Sequence, residues 1–298
     1  MSRPLSGFLA ALLTGFDDEG RLSENRTRAV VRHVLDYHGL DGVYVGGSSG
    51  EAFSMTIEER CRLMEIVADE VAGRALMIAQ IGTLELEGGT RLGRLARQLG
   101  YDAVSAVPPF YFQHSTRELE AWFAALARAA NLPMLVYYVP NLTGVRAELE
   151  GLVRLMRVPG VVGMKFTDYN LYLAERLRDA CPDAAYFCGH DEIMAAAIAM
   201  GFDSGIGSTL NIQGFRFPPL VEAMRSGDLD RVHRIQKEIN DVVAPIVHLG
   251  VFPALKAAIR LAGVDAGDCR PPLLMPNAED MRLLEALRDR GAFRRPEE

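Results

Sequence analysis

A repeated alternation constrains this chain more than any other feature. A short apolar run is followed by a small-residue or polar turn, and then by amphipathic helical periodicity. Apolar runs fall at 5–16, 41–48, 75–82, 103–109, 134–140, 161–167, 185–190 and 204–209. Helical patterning fills the intervals near 25–37, 56–72, 85–99, 115–130, 148–156, 170–180 and 192–200. Thr56 with Glu59, and Ser115 with Glu118, have capping-box spacing at two helix starts. Strands alternating with helices imply a parallel sheet built by crossover connections. Eight such units are the number that closes a (β/α)8 barrel, so the expected fold class is α/β, a TIM barrel. A doubly wound open sheet is the alternative, and it usually has fewer strands.

After residue 215 the strand signals stop. Residues 218–225, 228–249, 253–263 and 278–291 read as helices, with Pro218, Pro253 and Pro271-Pro272 as breaks. The first of these helices completes the barrel. The expected organisation is therefore a barrel over 1–225, carrying the chemistry, and a C-terminal helical extension over 226–298 packed on it. The length of 298 residues suits a barrel of roughly 250 residues with an appendage.

Composition excludes several classes. A net charge of −7 argues against a nucleic-acid binder with a basic face. An anionic substrate would have to be held by local dipoles rather than by the global field. Leu5–Phe16 after Arg3 mimics a short signal peptide. However, it runs straight into Asp17-Asp18-Glu19 with no small-x-small cleavage site, so it reads as a buried first strand. No run reaches the roughly 18 apolar residues of a membrane span. Cys61, Cys181, Cys188 and Cys269 form no C-x-x-C and read as reduced packing residues of a cytoplasmic protein. The six histidines are scattered without H-x-H or H-E-x-x-H, so no metal is expected. No glycine-rich turn opens a dinucleotide-binding βαβ unit, so no such cofactor is expected either.

In a barrel of this kind, reactive residues lie at the C-terminal ends of the strands. Lys165 interrupts Val161-Val162-Gly163-Met164-Lys165-Phe166-Thr167, which is otherwise nearly all apolar. Strand alternation puts Val161, Gly163, Lys165 and Thr167 on one face. Burial disfavours the charged form of an amine, leaving part of it able to attack a ketone and form an imine. Only three of the 32 basic residues are lysines, Lys165, Lys237 and Lys256. Arginine cannot deprotonate to act as a nucleophile, so a lysine kept against that bias favours amine chemistry. The bland reading of Lys165 is a strand-end side chain that snorkels to solvent.

Tyr137 ends the preceding run and could relay a proton beside an imine, or could simply fill a barrel layer. Gly46–Glu51 offers a concave nest of N–H groups and serine hydroxyls fit for a carboxylate, or only a tight turn. Asp191 and Glu192 could accept hydrogen bonds from sugar hydroxyls, or merely compensate a helix N-terminus. Ser208 follows the last strand and could meet a polar substrate group.

Together, Gly47-Ser48-Ser49-Gly50-Glu51, Tyr137-x-x-Pro140, Lys165 and Gly205-x-Gly207-Ser208 resemble the N-acetylneuraminate lyase/dihydrodipicolinate synthase family of class I, Schiff-base-forming enzymes. The resemblance runs over residues 5–290 with matching order and spacing. Tyr44–Phe53, Tyr101–Val107, Gly163–Thr167 and Gly189–Glu192 look like the lyase branch. Dihydrodipicolinate synthases usually carry an arginine after the Tyr-x-x-Pro strand, where Leu142 stands here. Ser49 replaces the threonine usual in the lyases, which keeps the hydroxyl but loosens its rotamer. His190 stands where the lyases vary.

The resemblance implies a sialic acid aldolase that splits N-acetylneuraminate into N-acetylmannosamine and pyruvate without a cofactor. It implies catalytic roles for Lys165, Tyr137, Ser48 and Tyr111. It implies substrate contacts from Ser48, Ser49, Thr167, Gly189, Asp191, Glu192, Gly207 and Ser208. Tyr111 resembles a family residue that reaches into a neighbouring subunit's site, which implies a homo-oligomer, most often a tetramer. Another pyruvate-dependent aldolase or dehydratase of the fold stays open, because loops choose the substrate. A non-catalytic small-molecule binder on the same scaffold is the rival of another class.

Overall fold

Eight strands of four to six residues pair in chain order, and the last closes on the first. The computed structural model describes residues 4–202 and 204–294; Arg3 and the outer ends of the two expected domains lie outside them. The strands are β1 (Phe8–Ala11), β2 (Gly42–Val45), β3 (Leu76–Gln80), β4 (Ala103–Ala106), β5 (Met134–Tyr138), β6 (Val161–Phe166), β7 (Ala185–Cys188) and β8 (Ser204–Gly207). Between them run helices α1 (Glu24–Arg32), α2 (Ile57–Val71), α3 (Leu86–Gln98), α4 (Thr116–Ala130), α5 (Pro140–Thr143), α6 (Leu149–Met156), α7 (Leu171–Ala180) and α8 (Met194–Ala199). After β8 come α9 (Leu210–Gln213), α10 (Phe217–Ser226), α11 (Leu229–His248), α12 (Val251–Leu261) and α13 (Ala278–Asp289). Every pairing is parallel, and the (β/α)8 barrel is the expected one.

Both faces of such strands are covered, which is why they read as near-continuous apolar runs. Leu9, Leu76, Ile78, Leu135, Phe187 and Ile206 fill the barrel interior. Val43, Val104, Met164 and Phe166 face outward into the larger core beneath the helices. The Leu5–Phe16 run supplies β1, which pairs with β2 and β8.

One register expectation fails. Met134 faces Val161 and Leu135 faces Gly163, so Val162 is an extra residue in β6. Such a bulge reverses the alternation before it. Val161 therefore packs on the outer core and does not share the face of Lys165.

Capping boxes form at Thr56–Glu59 and Ser115–Glu118, satisfying the first free N–H groups of α2 and α4. Pro218 and Pro253 lie in the first turns of α10 and α12, where no N–H is needed. Pro245 sits inside α11, which continues past it. The helix expected over 25–37 changes to a π turn at His33–Tyr37, which brings His33 Nε2 within 3.1 Å of His38 Nε2. Among the described residues, no helix is long and apolar enough to cross a membrane.

The C-terminal helices lean on the barrel's upper rim. Gln236 of α11 donates to the Asp191 carbonyl at 3.1 Å and accepts from the Ala195 N–H at 2.8 Å. This end of the barrel holds the C-termini of all eight strands, where parallel barrels gather their chemistry.

Candidate active site

Lys165 points into the barrel from β6 and is only 3% exposed. Its ammonium lies 4.3 Å from the ring centre of Tyr44 on β2 and 4.2 Å from that of Tyr137 on β5. The two rings stand at 86° to each other, so the amine meets two π faces. Tyr137 is the register partner of Lys165 on the adjacent strand. The Tyr44 hydroxyl donates to Ser105 Oγ at 3.1 Å. Burial, with Tyr137 beside it, pushes the Tyr44 phenol well above its ordinary value, so it stays neutral. Tyr138 faces outward into the helix-side core.

A cavity of about 260 Å³ opens over Lys165 and Tyr137. Ser48, Ser49, Thr167, Gly189, Asp191, Glu192 and Ser208 also line it. The structure thus brings all but two of the expected site residues together. Gly207 lies behind the wall. Tyr111, in the loop after β4, is 76% exposed and packs edge-on against Phe112, away from this cavity.

The turn after β2 is built to leave donors free. Gly46 takes φ +68°, a left-handed conformation natural to glycine. The N–H groups of Gly50, Glu51 and Ala52 bond back within the turn. Those of Ser48 and Ser49 make no backbone hydrogen bond among the described residues. Ser49 Oγ lies 2.6 Å from Ser208 Oγ, joining the turn to the end of β8. Asn211 locks that end: its amide donates to the Ala11 and Ser208 carbonyls at 2.9 and 2.8 Å. Two hydroxyls and two free amides on one wall form a cradle for a carboxylate.

The opposite wall is acidic. Asp191 Oδ2 accepts from the Thr209 N–H at 2.8 Å and from its hydroxyl at 2.7 Å. Burial nevertheless raises its pKa from 3.8 to about 6. A Cβ on Gly207 would stand 1.6 Å from Asp191 Oδ1, so only glycine lets the carboxylate sit there. Gly189 does the same for Thr167, whose Oγ1 would be 1.9 Å from an added Cβ.

Glu192 behaves differently. Burial alone would raise its pKa, but His190 and Tyr169 outweigh that and hold it below the ordinary value. The Tyr169 hydroxyl donates to Glu192 Oε1 at 2.5 Å, and His190 Nδ1 lies 3.1 Å from the same oxygen. The Tyr169 and His190 rings stack at 4.2 Å.

Sequence reasoning assigned no role to Tyr44, Thr209 or Tyr169. Period two within the second apolar run puts Gly42, Tyr44 and Gly46 on one face, which could have found Tyr44. The third wall of the cavity also went unread. Ile246 and Val247 of α11, with Val251 and Phe252 of α12, close it with apolar surface. No local pattern announces that the C-terminal extension lines the site. A smaller cavity of about 200 Å³ adjoins it, sharing Ser48, Leu142 and Phe252.

Comparison with known proteins agrees with this geometry. The dihydrodipicolinate synthetase family model matches residues 4–287. The N-acetylneuraminate lyase of Salmonella agona is 40% identical over 289 residues, covering 96% of this chain and 97% of that protein. The crystal structure of CdNal from Clostridium difficile in complex with mannosamine superposes with a TM-score of 0.94 at 33% identity, covering 97% of this chain and 99% of that one. The N-acetylneuraminate lyase from Fusobacterium nucleatum complexed with pyruvate gives 0.90 at 35% identity, covering 96% and 97%. A strand-end lysine between two tyrosines, in a parallel barrel matched over almost its whole length, makes this chain a member of the dihydrodipicolinate synthetase family.

Proposed function

We propose that this protein is a class I aldolase that cleaves N-acetylneuraminate to N-acetylmannosamine and pyruvate. The observation that carries the reading is the shared cavity. Lys165 and Tyr137, the Ser49–Ser208 pair, and the Asp191 and Glu192 carboxylates all line it. A ketone next to a carboxylate, followed by a hydroxylated tail, matches that order of groups. The 40% identity to a named lyase supports the same substrate. Leu142, where a synthase would carry arginine, supports a sugar tail over a second carboxylate.

The Lys165 amine attacks the ketone carbon of the open-chain sugar acid, and loss of water leaves an iminium. The Tyr137 phenol gives its proton to the departing water, and the phenolate left behind takes the proton from the hydroxyl on the carbon to be released. The carbon–carbon bond breaks, its electron pair flows toward the iminium nitrogen to give an enamine, and the aldehyde sugar departs. Tyr137 then gives that proton to the enamine carbon and recovers one when water adds to the iminium. Water hydrolyses the resulting iminium, releasing pyruvate and restoring Lys165. Ser48, Ser49 and their amides hold the substrate carboxylate throughout, with Thr167 beside the lysine. Asp191, Glu192 and Ser208 accept from the tail hydroxyls, and Gly189 and Gly207 give Thr167 and Asp191 their room.

The reading extends to the assembly. The exposed Tyr111 suits a residue that reaches a neighbour's Tyr137 in a homotetramer. Four free cysteines go with a cytoplasmic location. The division at residues 225 and 226 belongs to the same reading; Gly227, with φ +75°, separates α10 from α11.

The test is pyruvate release from N-acetylneuraminate in chelator-treated buffer. Release is the expected result. Absence of release, with a borohydride-trapped pyruvate adduct on Lys165, would assign a sibling aldolase with another aldehyde. Absence of both would leave a non-catalytic binder.

A further inference from the structure

We infer that Lys256 of α12 is a positioning residue for the carboxylate-binding turn after β2, acting through Glu51. The inference rests on the proposed function above. Lys256 is fully buried, and its Nζ lies 2.8 Å from Glu51 Oε1, itself buried. The same ammonium donates to the Asp268 carbonyl at 2.9 Å and lies 4.2 Å from the Phe16 ring centre. The other oxygen of Glu51, Oε2, accepts from the Arg270 N–H at 2.8 Å. Both carboxylate oxygens are thus held by the C-terminal extension.

Glu51 needs such an anchor. Its φ is +56°, in the left-handed region where a residue with a Cβ is strained. That conformation lets the chain leave the turn toward Ala52 while Ser48 and Ser49 keep facing the cavity. The rest of the turn is fastened too. Thr14 Oγ1 donates to the Gly50 carbonyl at 2.7 Å, and the Arg270 guanidinium donates to the Ser54 carbonyl at 2.7 Å. Arg270 also pairs with Glu59, and its guanidinium lies 4.4 Å from the centre of the Phe16 ring.

A buried ion pair is weak ground for a stability role, because desolvation offsets much of its attraction. Its firmer use is to fix one geometry. Here the geometry fixed is that of Glu51, two residues after the Ser48 and Ser49 donors. Burial lowers the Lys256 pKa, and the Glu51 carboxylate beside it works the other way.

The experiment compares the wild type with Lys256→Met and with the neutral double variant Glu51→Gln/Lys256→Met. The single variant strands a buried carboxylate and could unfold; the double variant removes both charges and keeps an acceptor for the Arg270 N–H. For each, KM and kcat for N-acetylneuraminate are measured, with the pyruvate concentration that half-saturates borohydride trapping on Lys165. The expected result for the folded double variant is a KM about tenfold higher with kcat within about threefold of wild type. Half-saturating pyruvate should rise by the same factor, because pyruvate shares only the carboxylate and ketone. A purely structural role would lower the active fraction and the melting midpoint while leaving both constants alone, and that outcome overturns the inference. So does a rise in KM without a rise in half-saturating pyruvate. A wild type that traps no pyruvate overturns the proposed function, and this inference with it. A wild type that traps pyruvate beside an unchanged double variant overturns this inference alone.

Discussion

Two lysines are buried in this molecule, and their surroundings are opposites. Lys256 sits on α12 in the C-terminal extension with a carboxylate 2.8 Å away. Lys165 sits inside the barrel against the π faces of Tyr44 and Tyr137, and no carboxylate of the described residues lies within ion-pair distance of it. The paired amine is tied up by Glu51 and by the Asp268 carbonyl. The unpaired amine has no such partner, and it opens on a cavity. Burial is common to both and so does not mark the nucleophile. The absence of a counter-charge does. The two acids also part: burial pushes Asp191 up to about 6, whereas His190 and Tyr169 outweigh burial at Glu192 and hold it low.

The largest effect should come from removing the unpaired lysine. Lys165→Ala leaves no electron sink for the bond cleavage, and turnover should fall by about 10⁴-fold or more. Pyruvate release measures it. Substantial residual activity would mean another amine serves, and Lys256 would be the first to examine despite its partner.

Gly207→Ala breaks the acidic wall instead. The new methyl would stand 1.6 Å from Asp191 Oδ1, so the carboxylate must leave Thr209. KM should rise about tenfold or more, with a stability loss of about 1–3 kcal/mol from overpacking. Kinetics and thermal melts read the two effects separately. An unchanged KM would show that the Asp191 carboxylate does not meet the substrate.

The pH dependence sharpens the contrast between the acids. Asp191 has its folded pKa raised from 3.8 to about 6. A raised pKa means the folded protein holds the proton more tightly than the unfolded chain. The stability it contributes is full below the unfolded value and is lost as pH rises through about 6. Substrate binding runs the other way, because the acceptor form of Asp191 appears above that point. KM for N-acetylneuraminate should therefore fall as pH rises from about 5 to about 7, and Asp191→Asn should flatten the profile. A persistent midpoint in that variant would assign it to another group.

How much of this was legible before folding depends on distance along the chain. The eight strands were readable because both faces of each are buried, which writes the run into consecutive residues. Capping boxes at Thr56 and Ser115 are local, and they form as spaced. Lys165 stood out as the only charged residue in its run. By contrast, the Val162 bulge is fixed by packing against β5, and nothing in β6 itself signals it. The hold on Glu51 comes from Arg270, 219 residues away, and Phe252 closes the cavity from the same distant extension. Thr209 ends the last apolar run, but its partner is Asp191, set by how β7 and β8 meet. Sequence patterns report what a residue's own element needs; they do not report which other element will complete its charge.

Leu142→Arg tests the rule at its weak end, by adding a cation where water can screen it. Leu142 lines the cavity mouth from α5 and is 59% exposed. An arginine there could give a charge-assisted, bidentate contact to a second carboxylate on the substrate. Exposure limits its worth to about 1 kcal/mol, or roughly fivefold. Relative kcat/KM should therefore shift by about that factor toward a keto acid with a carboxylate in its tail, and the shift should shrink as salt is added. Measured against N-acetylneuraminate, a selectivity that does not move would mean that position 142 does not face the substrate tail. A shift that survives high salt would mean the rim closes over the substrate and dries, which would make position 142 resemble the buried sites more than its exposure suggests.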